Sequence, residues 1–248
     1  FKRNTSMQHL HKMTDILYHR GPDASGYELI KKENYGLGLG HRRLSIIDLT
    51  ESGAQPMYFQ QFWICFNGEV YNFNEIRSEL ESLGHKFKST SDTEVVLQAY
   101  VKWGSACVDR FIGMFAFVIY NSSEGKIFCC RDRAGVKPFY YYFKDGLFLF
   151  SSELKSLHEH PRFEKQLNLA AVSAFMQYGN VPTPHCIFQN CHKLKPGHFM
   201  EFSIQEELSK EEIQPQNQTC YWNVYDAYNK PKLDLSFADA KKQTEKVL

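Results

Sequence analysis

Apolar residues recur at helical spacing through Met7, Leu10, Met13, Ile16 and Leu17 and stop at Gly21-Pro22, so the pattern opens on an amphipathic helix. A short aromatic run over residues 61–66 ends in Asn67-Gly68 and predicts a strand leading into a turn. Asn72 with Glu75 stands ahead of Ile76, Leu80 and Leu83, and Ser91 with Glu94 ahead of Val95, Val96, Ala99, Tyr100 and Trp103. Both sets predict helices with capping boxes, closed by Gly84 and Gly104. Apolar or aromatic runs follow at 114–120, 126–130, 138–143 and 147–151, separated by turn residues such as Lys144-Asp145-Gly146, and predict an antiparallel meander.

Most of these runs have no polar face. Such strands need cover on both sides, and two stacked antiparallel sheets with helices outside provide it, which predicts a four-layer αββα sandwich of the α+β class. The periodicity leaves a simpler α+β domain open beside it. Leu169, Val172, Phe175 and Met176 predict a further helix over 168–179, and residues 193–198 open a last hairpin. Residues 204–235 are polar, with Gln-Glu-Glu and Gln-Pro-Gln-Asn-Gln runs, and read as a loop or linker, after which Ser236 with Asp239 caps a final helix. The expected division is one domain over 1–203, with a linker and the start of another over 204–248.

Composition narrows the function classes. A chain of 248 residues that is 43% hydrophobic has ample core material, and a formal net charge of +1 with interleaved signs gives no basic stripe, so nucleic acid and anionic membrane are poor partners. No apolar run is long enough for a transmembrane span or a secretory leader. Seven cysteines without framework spacing favour a reducing, cytoplasmic compartment, in which the sequons at Asn4, Asn121 and Asn217 are incidental. His185-Cys186 and Cys191-His192 could clamp a metal but lack a second knuckle, so no metal is assigned.

Candidate chemistry lies in short stretches. They are His19-Arg20-Gly21-Pro22-Asp23, His41-Arg42-Arg43-Leu44-Ser45-Ile46-Ile47-Asp48, Asn67-Gly68-Glu69-Val70-Tyr71-Asn72, Thr90-Ser91-Asp92-Thr93-Glu94, and Arg131-Asp132-Arg133-Ala134-Gly135-Val136-Lys137-Pro138 with Ser151-Ser152-Glu153-Leu154-Lys155. In this order they resemble the glutaminase domain of glutamine-hydrolysing asparagine synthetases, the class II, Ntn-hydrolase-like amidotransferases. Within class II, Leu-Ser-Ile-Ile-Asp after Arg43 is similar to the asparagine synthetase branch, and unlike phosphoribosyl or hexosamine amidotransferases.

The resemblance implies a set of roles. The Asn67 side-chain amide and the Gly68 backbone N–H would form the oxyanion hole, although Asn-Gly by itself reads more plainly as a hairpin turn. Arg43 would hold the α-carboxylate of L-glutamine, with Leu44, Ser45, Ile46 and Ile47 lining the same pocket, while Arg42→Ala should do little. Asp92 and Glu69 would accept from the α-ammonium, a role that Asp92 can combine with complementing a helix dipole. Arg20, Asp23, Arg131, Asp132 and Glu153 read as ion pairs that fix loops.

The nucleophile and base of that family are the thiol and α-amine of an N-terminal cysteine. This sequence begins at Phe1 and carries no Ser-Gly-Gly-x-Asp-Ser phosphate loop, so the expectation is truncation at both ends and no turnover by this chain alone. No cofactor is expected in this domain, with ATP and Mg belonging to an absent C-terminal synthetase domain, its expected partner; a homodimer is left open. Two other readings remain: an inert structural module, as in β-lactam-forming synthetases, and an amidotransferase acting on a sugar acceptor.

Overall fold

The structure, a computed structural model, describes residues 6–45, 50–204 and 218–247. Its centre is a six-stranded sheet in the order β11-β10-β6-β5-β4-β3, made of β3 Met57–Phe59, β4 Phe62–Val70, β5 Gly113–Asn121, β6 Lys126–Arg131, β10 His198–Ser203 and β11 Thr219–Cys220. Strict alternation along β5 sorts its side chains. Phe115, Phe117 and Ile119 enter one core, and Ala116, Val118 and Tyr120 the other. Both faces are therefore dry, which is why these strands show no polar period.

The first core is covered by α2 Phe73–Ser82 and α3 Asp92–Trp103, whose Ile76, Leu80, Val95 and Val96 pack on Phe66, Val70 and Phe117. Among the described residues the second core is closed by another layer that contains the hairpin β1 Ala24–Lys31 with β2 Gly36–Arg43, and the three-stranded β8-β7-β9 of Leu147–Ser151, Tyr140–Lys144 and Cys191–Lys193. Outside that layer lie α1 Met7–Asp15 and α4 Leu154–His158, over Tyr142, Leu147 and Leu149. The result is the αββα sandwich. α1 sits tight on β2 because a Cβ on Gly40 would fall 2.0 Å from Thr14 Oγ1. Each large apolar side chain fully buried in these layers contributes about 1.5–3 kcal/mol.

Several local expectations change. The strand that begins at Phe62 does not turn at Asn67-Gly68 but runs on to Val70, pairing Asn67 with Ala116 and Gly68 with Phe115. The apolar runs form no single meander: β5 and β6 lie in one sheet and β7 and β8 in the other. Residues 193–198 likewise form no hairpin, since β9 and β10 belong to different layers. Asn72 does not cap α2 through its side chain; it accepts from Ile112 N–H at 2.8 Å and donates to the Arg110 carbonyl at 3.0 Å. Ser91 does cap α3, accepting from Thr93 N–H at 3.0 Å, but Glu94 turns to the Lys88 and Ser89 amides instead of closing a box.

Beyond residue 204, β11 adds a strand to β10 in the stretch read as linker, and the Tyr221 hydroxyl donates to the Arg131 carbonyl at 2.7 Å. α5 Leu169–Tyr178, α6 Val224–Tyr228 and α7 Phe237–Val247 complete the chain, and the Ser236 hydroxyl accepts from Asp239 N–H at 3.2 Å as its sequence predicts. No helix among the described residues is long and apolar enough to cross a membrane.

Candidate active site

The end of β4 forms one wall of a cavity of about 440 Å³, to which β2 and the start of α3 contribute the others. An antiparallel ladder alternates the direction of its backbone groups. Phe115 spends both of its own on Asp132: its N–H donates to Oδ2 at 3.2 Å and its carbonyl accepts from the Asp132 N–H at 2.8 Å. Its partner Gly68 therefore faces away from β5, as do Phe66 and Val70. The Phe66 N–H donates to Gln55 Oε1 at 2.7 Å and the Val70 N–H to Asp92 Oδ2 at 3.1 Å. Gln55 and Asp92 both line the cavity, so the Gly68 N–H between them is turned to the same space.

Glycine is needed at this point for packing. Gly68 has φ +153°, and a Cβ there would lie 2.2 Å from the Met114 carbonyl oxygen and 2.6 Å from the Phe115 Cα. Next to it, the Asn67 carboxamide donates through Nδ2 to Ser152 Oγ at 3.2 Å. Two neighbouring N–H donors on one wall can hold a developing oxyanion.

Side chains of both charge signs line the cavity. Asp92, the first residue of α3, is 6% exposed, and burial, with Glu69 adding its charge, pushes its carboxyl up to about 6. A carboxylate held that way gains from an arriving cation. Arg43, on the same lining, donates to the Thr50 carbonyl at 2.7 Å. The structure thus brings Arg43, Leu44, Asn67, Gly68, Glu69 and Asp92 onto one cavity. Ser45 is outside its lining and donates its N–H to Asp23 Oδ2 at 2.8 Å, while Ile46 and Ile47 lie outside the described residues.

The pattern reading missed Gln55 on the same walls, and gave no role to His41 and Lys137, which stand in its quoted stretches. His41 donates to the Phe66 carbonyl at 3.1 Å, and burial pulls its ring down to about 4, so it stands neutral. Lys137 rides on a loop held by Asp132, whose carboxylate accepts from the amides of Val136 and Lys137, and by Arg131, which donates to the carbonyls of Gly135, Lys137 and Leu194. Those two residues clamp backbone, where ion pairs were expected. Glu153 is an ion-pair hub: against the cost of burial, bonds from His19, Arg20 and Lys155 hold it down at about 2. Arg42 is tied to the Gly21 carbonyl at 3.0 Å and lies 4.9 Å over the Tyr18 ring, contacts that give it a structural part the pattern did not assign.

A second cavity of about 180 Å³ adjoins the first behind Asn67, between Leu37 and Gly38 of β2 and Leu147 and Phe148 of β8. Cys65 borders this space, but burial pushes its thiol up to about 12, which leaves it without thiolate near neutrality. In the His185-to-His192 turn, the bridge pairs the histidines while Cys186 and Cys191 point into the core beside Tyr142, on the opposite face. Among the described residues, no group of three or more metal-ligating side chains is formed.

A sequence profile described as a glutamine amidotransferase domain matches residues 1–214. The chain belongs to the glutamine amidotransferase domain family. This amidotransferase domain is 37% identical over 254 residues to a Methanocaldococcus jannaschii protein named putative asparagine synthetase (glutamine-hydrolyzing) 2, covering 94% of the chain and 47% of that protein. It is 36% identical over 239 residues to asparagine synthetase (glutamine-hydrolyzing) 3 of Bacillus subtilis, covering 94% of the chain and 37% of the relative. The chain thus spans about half or less of these relatives. Among solved structures, glutamine phosphoribosylpyrophosphate amidotransferase from B. subtilis matches with TM-score 0.56 at 16% identity, over 79% of the chain and 44% of that one. That likeness is one of fold, and it agrees with the Ntn-type αββα sandwich.

Proposed function

We infer that this domain hydrolyses L-glutamine to glutamate and supplies the ammonia to a synthetase domain of the same parent protein, where ATP and Mg serve the amidation of aspartate. The observation that carries the reading is the pair of donors, Asn67 Nδ2 and Gly68 N–H, on one cavity with the carboxylates of Glu69 and Asp92 and the guanidinium of Arg43. Arg43 takes the α-carboxylate, Asp92 and Glu69 take the α-ammonium, and the side-chain amide then reaches the donors. A thiolate adds to the amide carbon, the carbonyl oxygen becomes an oxyanion on Asn67 and Gly68, and the C–N bond breaks as ammonia leaves with a proton. Water then cleaves the thioester.

Apolar residues exposed on α5 and the C-terminal segment, such as Met176 at 79% and Phe237 at 87%, support cover by a further domain. The unpaired cysteines support a reducing compartment, the cytoplasm. Relatives whose names include glutamine-hydrolyzing do not favour the inert-module reading. The parent protein is expected to release glutamate from L-glutamine and to stop when its leading cysteine becomes alanine. Glutamate formation that survives the change would place the nucleophile elsewhere and sink the reading.

The raised Asp92 carboxyl gives a pH dependence. A proton is taken up as pH falls through about 6, which removes the ionised acceptor for the ammonium. Calorimetric titration of the domain with L-glutamine should give a Kd that is level above that pH and weakens about tenfold per unit below it. Asp92→Asn should bind weakly at every pH with no such slope; a slope that persists in the variant would assign it to another group.

A further inference from the structure

We propose that Ser152 is a positioning residue of the oxyanion hole, acting through Asn67. This rests on the glutaminase reading above. An asparagine carboxamide turns easily about its last side-chain bond, where the energy wells are broad. An amide that turned its oxygen toward the cavity would repel the oxyanion it is meant to hold. Ser152 Oγ accepts from Asn67 Nδ2 at 3.2 Å, which draws the nitrogen half of the amide to the β8–α4 connection. A carboxamide nitrogen carries two N–H groups. One is spent on Ser152, and the other remains for the substrate.

The anchor is itself held in place. Ser151 Oγ accepts from the Glu153 N–H at 3.3 Å, just past Ser152. The Glu153 carboxylate takes Arg20 at 3.1 Å and Lys155 at 3.2 Å. Residues 151–153 thus tie the Asn67 amide to the turn bearing Arg20, and Arg20 borders both cavities. The pair is 85 residues apart in sequence, so only the tertiary fold brings it together. A preorganised donor acts mainly in the transition state, so losing its anchor should lower kcat and leave KM for glutamine alone.

The test uses the full parent enzyme. Ser152→Ala is expected to lower kcat for glutamine hydrolysis roughly fivefold to tenfold, with KM changed by less than about twofold. Ser152→Thr keeps the hydroxyl and should restore the rate, whereas Ser152→Val has the shape of threonine without the hydroxyl and should behave as alanine does. In an Asn67→Ala background, Ser152→Ala should cost less than about twofold, because the group it positions is gone. A loss equally large in that background, or a Val variant as active as the Thr variant, would overturn the proposal. A parent enzyme that hydrolyses no glutamine would instead remove the reading on which it rests.

Discussion

Asn67→Ala in the parent enzyme is expected to lower kcat for glutamine hydrolysis by roughly a hundredfold to a thousandfold with KM close to its original value. The size follows from where the charge develops. In the bound substrate the carbonyl oxygen is nearly neutral, and the Asn67 N–H gains little by meeting it. When the thiolate adds, a full negative charge appears beside two donors in a walled cavity, and losing one costs about 3–4 kcal/mol. The backbone limits the side effects. Asn67 is held in β4 by its ladder partner Ala116, and the strand is fixed on its outer side through the amides of Phe66 and Val70. Steady-state kinetics of the variant decide the matter: a risen KM with an intact kcat would make Asn67 a ground-state contact.

The helices were legible because their signals are local. Ser91 with the apolar spacing of α3 works within a few residues, and the structure shows its hydroxyl accepting a helix N–H group; at α1 the apolar spacing is the signal, and the Ser6 cap is seen only in the structure. The strands were legible as strands only. Which sheet each joins depends on the crossing after β6, and that crossing is held by Arg131 and Asp132 bonding to backbone as distant as Leu194. Asn67-Gly68 read as a turn because that dipeptide favours one. Pairing of β4 with β5, whose residues lie about fifty positions on, overrides the local preference and keeps the glycine in strand. The site divides in the same way. Arg43, Asn67, Gly68 and Asp92 stand in stretches whose wording resembles a family, whereas Gln55 stands in none of them, and Ser152, which does, acquires its contact with Asn67 only through the fold.

Arg43→Ala should cut kcat/KM for glutamine by roughly tenfold to a hundredfold, since a charge-assisted contact contributes about 1.5–3 kcal/mol and 1.4 kcal/mol is a factor of ten. The guanidinium is already engaged with the Thr50 carbonyl, which fixes its orientation before substrate arrives and lowers the entropy lost on binding. Its contribution is to hold the amino-acid end in place; the bond that breaks lies at the other end of the substrate. Ammonia added to the full-length enzyme bypasses the cavity, so ammonia-dependent synthesis should stay near the unmodified rate in the variant. Arg42→Ala is the contrasting case. That side chain ties α1, the turn at Gly21 and β2 together, so its loss should lower thermal stability and depress both activities in proportion to the folded fraction. The pair of variants therefore separates recognition from architecture. If Arg43→Ala lowered the ammonia-dependent rate in step with the glutamine-dependent one, Arg43 would share the role of Arg42, and the α-carboxylate would have to be held by another group.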